Sequence, residues 1–439
     1  MRPPQPVRQL QNQQLEIFDR RSIRGVIAMG STAVEKIISS ALGRKVSEGE
    51  FVEAPVDFAY FHDGTGPLVI DALDEMGVDR INDNEKVGIV FDHSVPPYND
   101  QGATLQAKVR RFARAQGIPR FHDLGDGICH QVIPEKGYVA PGQIVFGADS
   151  HTCTLGAFGI FSTGVGATDL AYILATGKTW MKVPETLMVE CAGVLDDRVS
   201  SKDLILEIVR VIGTDGATYK ALEFAGGAVK AMSQASRMTM SNMAVEMGAK
   251  TGFIEADDKT AVFLNRPDGK RFKTDHPVPK IEVDAGRLEP QVACPGSVAN
   301  VKPISEVEGV HIDQAFLGSC TNGRYEDLYE AARLLRHRKI HRDTRMIVIP
   351  ASKETYIDAQ RDGLLDVFLE AGAIIGVTGC GPCLGVHMGV IGENEVCIST
   401  SNRNFIGRMG ARSSSVYLAS PQAVAASAIE GKITDPRRV

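Results

Sequence analysis

KVGIVFD (residues 86–92), followed by ATLQAKVRRFARAQG (103–117) and GQIVFGAD (142–149), decides the fold class. The first and third segments are short apolar runs with β-branched residues and read as buried strands. The middle segment carries a helical period. Such alternation predicts an α/β chain with mainly parallel sheets.

Working outward, the same alternation recurs in a second block from near Pro184. ETLMVECAGVL (185–195) reads as a strand, and SKDLILEIVRVIG (201–213) and MTMSNMAVEMGAK (238–250) read as helices. A third block runs from about Val301 to the end, with strand-like MIVIPAS, AGAIIGVTG and EVCISTS. The polar stretch 275–296 reads as the joint between them. The expected organisation is an extension at 1–30 and three α/β units at 31–184, 185–300 and 301–439, with no internal repeat. The extension holds five arginines, and Glu16 and Asp19 with a single serine argue against a transit peptide. A disordered tail or a misassigned start, with Met29 as the natural beginning, is expected there.

Composition narrows the function classes. The chain has 439 residues, 43% apolar and 23% charged, with a net charge of −6 and a pI near 6.0. Such a charge offers no general attraction to phosphate backbones, and no apolar run is long enough to span a membrane. The expectation is a cytoplasmic protein with neither nucleic-acid nor membrane partner. The basic stretch from Arg333 to Arg345 follows the helical YEDLYEAARLL and reads as a solvated helix end, where cations are favoured. Eight cysteines in a chain of this length are too few for a disulfide scaffold.

Three of those cysteines carry the strongest chemical signal. GSCTN (318–322) and GCGPCLG (379–385) set Cys320, Cys380 and Cys383 on glycine-rich turns that could converge on one iron-sulfur cluster. A cubane normally takes four thiolates. Three would leave one iron open for water and substrate. The rival reading, a redox dithiol at Cys380 and Cys383, needs a helix to lower the first thiol's pKa. Glycines at 385, 389 and 392 interrupt that helix.

Histidines and carboxylates gather in FHDGTG (61–66), FDHSVPP (91–97), GICHQ (127–131), GADSHT (147–152) and SNMAVEMGA (241–249). A histidine held by a carboxylate has a fixed tautomer and a raised pKa, which suits protonation of a departing hydroxide. Asp92 with His93, and Asp149 with His151, have this character by adjacency, although neighbouring side chains on a strand diverge. A zinc site from Cys129, His130, His151 and Cys153 is disfavoured by its tight spacing, and Cys129 and Cys153 read as packed thiols. GVGATD (164–169) and GKT (177–179) lack the further glycines of nucleotide loops. STSNRNFIGR (399–408) offers Arg403 and Arg408 as carboxylate forks, or as incidental charge on a surface loop.

In order and spacing, GADSHT, GSCTNGR, GCGPCLG and STSNRNFIGR resemble the aconitase superfamily over about residues 31–430. HDGTGPL, FDH-x-VPP and GICHQVIPEKG look most like the large subunits of two-subunit isopropylmalate dehydratases and their homoaconitase and dimethylmalate dehydratase relatives. The resemblance implies a [4Fe-4S] cluster, one per large subunit, held by Cys320, Cys380 and Cys383. It implies Asp92, His93, His130, Asp149, His151 and Glu246 as catalytic residues. It implies His62, Ser150, Asn242, Arg403 and Arg408 as binding residues for a di- or tricarboxylic acid. It also implies a separate small subunit, because this chain ends at Val439 where single-chain aconitases continue into a swivelling domain with a base serine and a further arginine. Ser94, where relatives often carry asparagine, is a minor departure. The expected reaction is isomerisation of 2- and 3-isopropylmalate by dehydration and rehydration, in leucine biosynthesis. Homoaconitate or 2,3-dimethylmalate chemistry is the alternative within the family. A cluster-sensing RNA-binding regulator is the non-enzyme alternative, which the charge disfavours.

Overall fold

The computed structural model describes residues 30–267 and 269–439, so the expectations for the N-terminal extension lie outside the described residues. The strand-like runs of the first block form a five-stranded, all-parallel sheet. Its order is Arg120–His122, Val87–Val90, Phe58–His62, Ile144–Gly147, Phe161–Gly164. Phe58–His62, Val87–Val90 and Ile144–Gly147 are buried along their whole length, as helices on both faces require. The helix Asp100–Gln116 shows how local chemistry sets the crossovers. The Asn99 side chain accepts from the Gly102 amide at 2.7 Å, and the helix stops at Gly117, whose φ is +65°.

The second sheet is also all-parallel, in the order Thr251–Phe253, Ala221–Ala225, Thr186–Ala192, Lys280–Asp284. The helix Ser201–Ile212, which packs against Gln291–Ala293 and Val301–Pro303, is started by a reciprocal cap between Ser200 and Asp203. The third sheet has seven strands: Val301–Pro303, Gln291–Ala293, Ser415–Leu418, Val396–Ser399, Gln314–Leu317, Arg345–Val348, Ile374–Ile375. Its last five strands run parallel, and the first two pair antiparallel. A separate antiparallel ribbon joins Phe51–Pro55 to Lys178–Lys182.

Two expectations change here. The stretch 275–296 is not a bare joint: Lys280–Asp284 completes the second sheet and Gln291–Ala293 enters the third, with Val292 and Ala293 fully buried. The architecture also repeats where the sequence does not. Numbered by their own order along the chain, the parallel strands of the first and third sheets both run 3-2-1-4-5, and those of the second run 3-2-1-4. Strand order is a long-range property that residue similarity need not record.

That order positions the site. In a doubly wound sheet, ligands bind at the carboxyl ends of the strands where the order reverses. In the first sheet the reversal lies between Phe58–His62 and Ile144–Gly147, and in the third between Gln314–Leu317 and Val396–Ser399. The two reversal points are joined. The Ile128 amide donates to the Ala351 carbonyl at 2.8 Å, and the Cys380 amide to the Asp92 carbonyl at 2.7 Å. Gly127 makes this approach possible: its φ is +130°, and a Cβ there would sit 2.5 Å from Ser352 Cα. Among the described residues, no helix is long and apolar enough to cross a membrane.

Candidate active site

From the first sheet come the titratable groups. His62 ends its strand, Asp92 and His93 follow Val87–Val90, and Asp149 follows Ile144–Gly147 and caps the 3-10 turn Ser150–Phe158. Beyond residue 90 the chain leaves the strand and bends, so Asp92 and His93 do not diverge: Asp92 Oδ1 lies 2.5 Å from His93 Nδ1. Asp149 is the hub. Its carboxylate accepts from His130 Nε2 at 2.8 Å and from the His151 amide at 2.7 Å, and lies 3.4 Å from His62 Nε2 and 3.8 Å from His93 Nε2. The expected pairing of Asp149 with the His151 ring is present but loose, with His151 Nδ1 3.6 Å from Asp149 Oδ1. That ring donates from Nε2 to Glu246 Oε1 at 2.9 Å, because capping draws the Asp149 carboxylate to the His151 main chain.

The network fixes tautomers. His62 Nδ1 accepts from the Gly64 amide at 3.1 Å, leaving the proton on Nε2, toward Asp149. His130 donates to Asp149 and accepts from Tyr60 Oη at 2.9 Å, as a neutral imidazole does. Burial lowers the His130 pKa and outweighs the attraction of Asp149. For His93, burial also lowers the pKa, but the charges of Asp92, Asp149 and Asp63 win and raise it to about 9. Asp149 shows the complementary balance: burial disfavours its charge, yet His130, His151 and His62 hold its carboxyl well below the usual range. One imidazole is thus kept protonated and its neighbour neutral, the separation of pKa values that assigns acid and base roles.

From the third sheet come sulfur, amide and guanidinium. Cys320 follows Gln314–Leu317, on a turn where Ser319 takes a left-handed φ of +74°. Cys383 lies in the 3-10 turn Gly381–Leu384, so the helix a redox dithiol would need is not formed. All three cysteines are buried and unpaired. Cys320 Sγ receives the amides of Asn242 and Asn402, each at 3.2 Å. Asn402 Oδ1 faces Cys383 Sγ at 3.7 Å. Burial pushes the Cys320 thiol up to about 12, with neighbouring sulfur charge adding to it, and burial followed by the charge of Asp92 raises Cys380 well above the usual thiol range. Three buried sulfurs that face one cavity, one of them met by two amide donors, suit a cationic inorganic centre. His130, His151 and Cys320 also bring ligand atoms together, whereas the four-residue zinc set does not gather. Cys129 and Cys153 are packed, fully buried thiols.

Of the residues expected from the sequence, all but His62, Asn242 and Glu246 line this cavity, including Ser150, Arg403 and Arg408. His62 lies beneath it, stacked on His93 with ring centroids 3.8 Å apart. Asn242 is fully buried behind Cys320, and Glu246 is buried between His151 and Arg403, whose Nε donates to it at 2.8 Å. Arg408 Nε is buried without a hydrogen-bond partner, a donor left over for an anion. Sequence reasoning missed Tyr60 and Asn402. A tyrosine inside a strand and an amide beside an arginine carry no local signal of partners 70 and 82 residues away. A larger cavity between Met232, Glu330 and Gln422 holds none of the expected residues.

A family profile described as "Aconitase family (aconitate hydratase)" matches residues 35–308 and 297–431. The chain is 52% identical over 415 residues to the "3-isopropylmalate dehydratase large subunit 1" of Methanopyrus kandleri, covering 93% of this chain and 99% of that protein. It is 51% identical over 415 residues to the "Probable 3-isopropylmalate dehydratase large subunit" of Methanothermobacter thermautotrophicus, at 93% and 99% coverage. The "Probable methanogen homoaconitase large subunit" of the same organism is also 51% identical over 415 residues, at 92% and 97% coverage.

Proposed function

This chain belongs to the aconitase family, and from that premise we propose that it is the large subunit of a hydro-lyase that interconverts 2- and 3-isopropylmalate by removing and returning water. The observation that carries the reading is the meeting of two strand-order reversals at one cavity, one supplying a protonated imidazole and the other three thiols and two guanidinium groups. The names of the relatives support isopropylmalate as substrate. Homoaconitate is the second reading, since identity to a relative of that name is nearly the same.

Cys320, Cys380 and Cys383 would hold one [4Fe-4S] cluster per large subunit. When bound, it supplies a Lewis-acidic iron that polarises the substrate's hydroxyl and a carboxylate. Arg403 and Arg408 bind carboxylates and orient the acid. Ser150 offers a hydroxyl at the cavity wall. His93, kept protonated by Asp92, delivers its proton to the departing hydroxyl oxygen. Asp149 steadies His130 and His62, while Glu246 holds His151 and Arg403 at fixed angles. Asn242 acts on Cys320 rather than on substrate. A small swivel-domain subunit completes the site with a base and a further arginine, and the complex works in the cytoplasm. We also place the third unit's start at about residue 290 instead of 301, which the entry of Gln291–Ala293 into the third sheet supports.

The test is anaerobic co-purification with the small subunit, reconstitution with iron and sulfide, and assay of 3-isopropylmalate, homoaconitate and 2,3-dimethylmalate. Turnover of 3-isopropylmalate that needs both subunits, and is lost in Cys383→Ser, is expected. Turnover of homoaconitate alone would move the substrate, and failure to take up iron would overturn the cluster reading.

A further inference from the structure

Lys202 breaks two rules at once. It stands in the first turn of the helix Ser201–Ile212, where a cation opposes the helix dipole, and it is fully buried. An apolar side chain of similar volume would usually serve the fold as well or better. Departures of this kind collect at functional positions.

Its partners show what the charge is for. Nζ donates to the main-chain carbonyls of Thr400 and Ser401 at 2.8 and 2.7 Å, and lies 3.5 Å from Asn322 Oδ1. Those residues frame the third sheet's reversal point: Thr400 and Ser401 lead directly into Asn402 and Arg403, and Asn322 follows Cys320 by two residues. The Thr400 hydroxyl ties the same turn to Gly318, accepting from its amide and donating to its carbonyl, both at 2.9 Å. Lys202 therefore reaches from the helix Ser201–Ile212 into the turn that aims Asn402 at Cys320. Burial pulls its pKa down to about 7, and the charge of Asp327 opposes that shift.

We propose that Lys202 is a positioning residue of the sulfur site: its Nζ braces the Thr400–Ser401 main chain so that the Asn402 amide meets Cys320. This rests on the reading that the three cysteines hold a cluster. Asp203, next in the chain, is the natural control. It is equally buried and braces the same junction, accepting the Gln291 amide at 2.9 Å and capping the helix at Ser200, but it makes no contact with the sulfur turns.

The experiment compares native large subunit, Lys202→Met and Asp203→Asn, each reconstituted with iron and sulfide and mixed with a ferrous chelator. Iron release, the visible cluster absorbance and the thermal midpoint of each apo-protein are recorded. Lys202→Met is expected to release iron about 10–100-fold faster than native, the range that loss of an outer partner of a metal ligand brings. Asp203→Asn is expected to lower the thermal midpoint while holding iron as the native protein does. If Lys202→Met keeps its iron, or if iron release follows the thermal midpoint in both variants, Lys202 is structural only and the proposal falls. Native protein that takes up no iron would instead sink the cluster reading itself. Lys202→Gln, which keeps a donor at shorter reach, carries the comparison should the methionine variant not fold.

Discussion

The first and third sheets share one strand order and present their reversal points to the same cavity, yet they arm it differently. On the first sheet, side chains satisfy one another: Asp149 collects His62, His130 and the His151 main chain, and Asp92 holds His93. On the third sheet, amides and a guanidinium do the holding: Asn242 from the second unit and Asn402 meet Cys320 Sγ, and Arg324 fixes the Cys320 and Thr321 carbonyls at 2.6 Å each. A common framework thus supplies position, and the turns supply chemistry, protons on one side and sulfur on the other.

The sharpest way to break this division is Asp149→Asn. Losing the hub charge is expected to lower kcat by about 10²–10⁴-fold, the weight of a positioned proton-transfer group, with iron content unchanged. A parallel loss of iron would show that the two sides are not separate. The proton side also predicts a pH signature. The His93 pKa is raised from 6.5 to about 9, so its contribution to stability is fully present below pH 6.5 and is lost as pH rises through 9. Denaturant melts across that window should show a decline of up to about 3 kcal/mol, flattened in His93→Asn. On the sulfur side, Asn402→Ala should weaken iron retention by about 10-fold or more while leaving the pH profile of stability in place. The smallest effect is expected for Tyr60→Phe. Removing the partner of His130 Nδ1 should cost about 1 kcal/mol and shift the imidazole's NMR signals, with no change in iron content.

The same contrast explains what was legible in the sequence. Parallel α/β layers followed from the alternation of runs such as KVGIVFD, and the cysteines from glycine-rich turns with few other uses. Local ion pairing was legible, its strength was not: Asp92 and His93 pair at 2.5 Å, whereas the His151 ring stands 3.6 Å from Asp149, whose carboxylate caps the His151 main chain. Glu246 was found as a residue, but its place between His151 and Arg403 was not, since those partners lie 95 and 157 positions away. Lys202 gave no sign of itself. A lysine after two serines at a helix start looks like surface, and only its partners, 198 and 199 positions on, reveal a buried charge.

Gly318 and Thr400, which close the sulfur turn, are 82 residues apart, and the brace on that turn begins at Lys202. During synthesis, therefore, Cys320 leaves the ribosome 82 residues ahead of Asn402, and its turn closes only when that later segment has been made. On the reading that these thiols hold a cluster, iron delivery becomes a late event in the protein's biogenesis, timed by strand order.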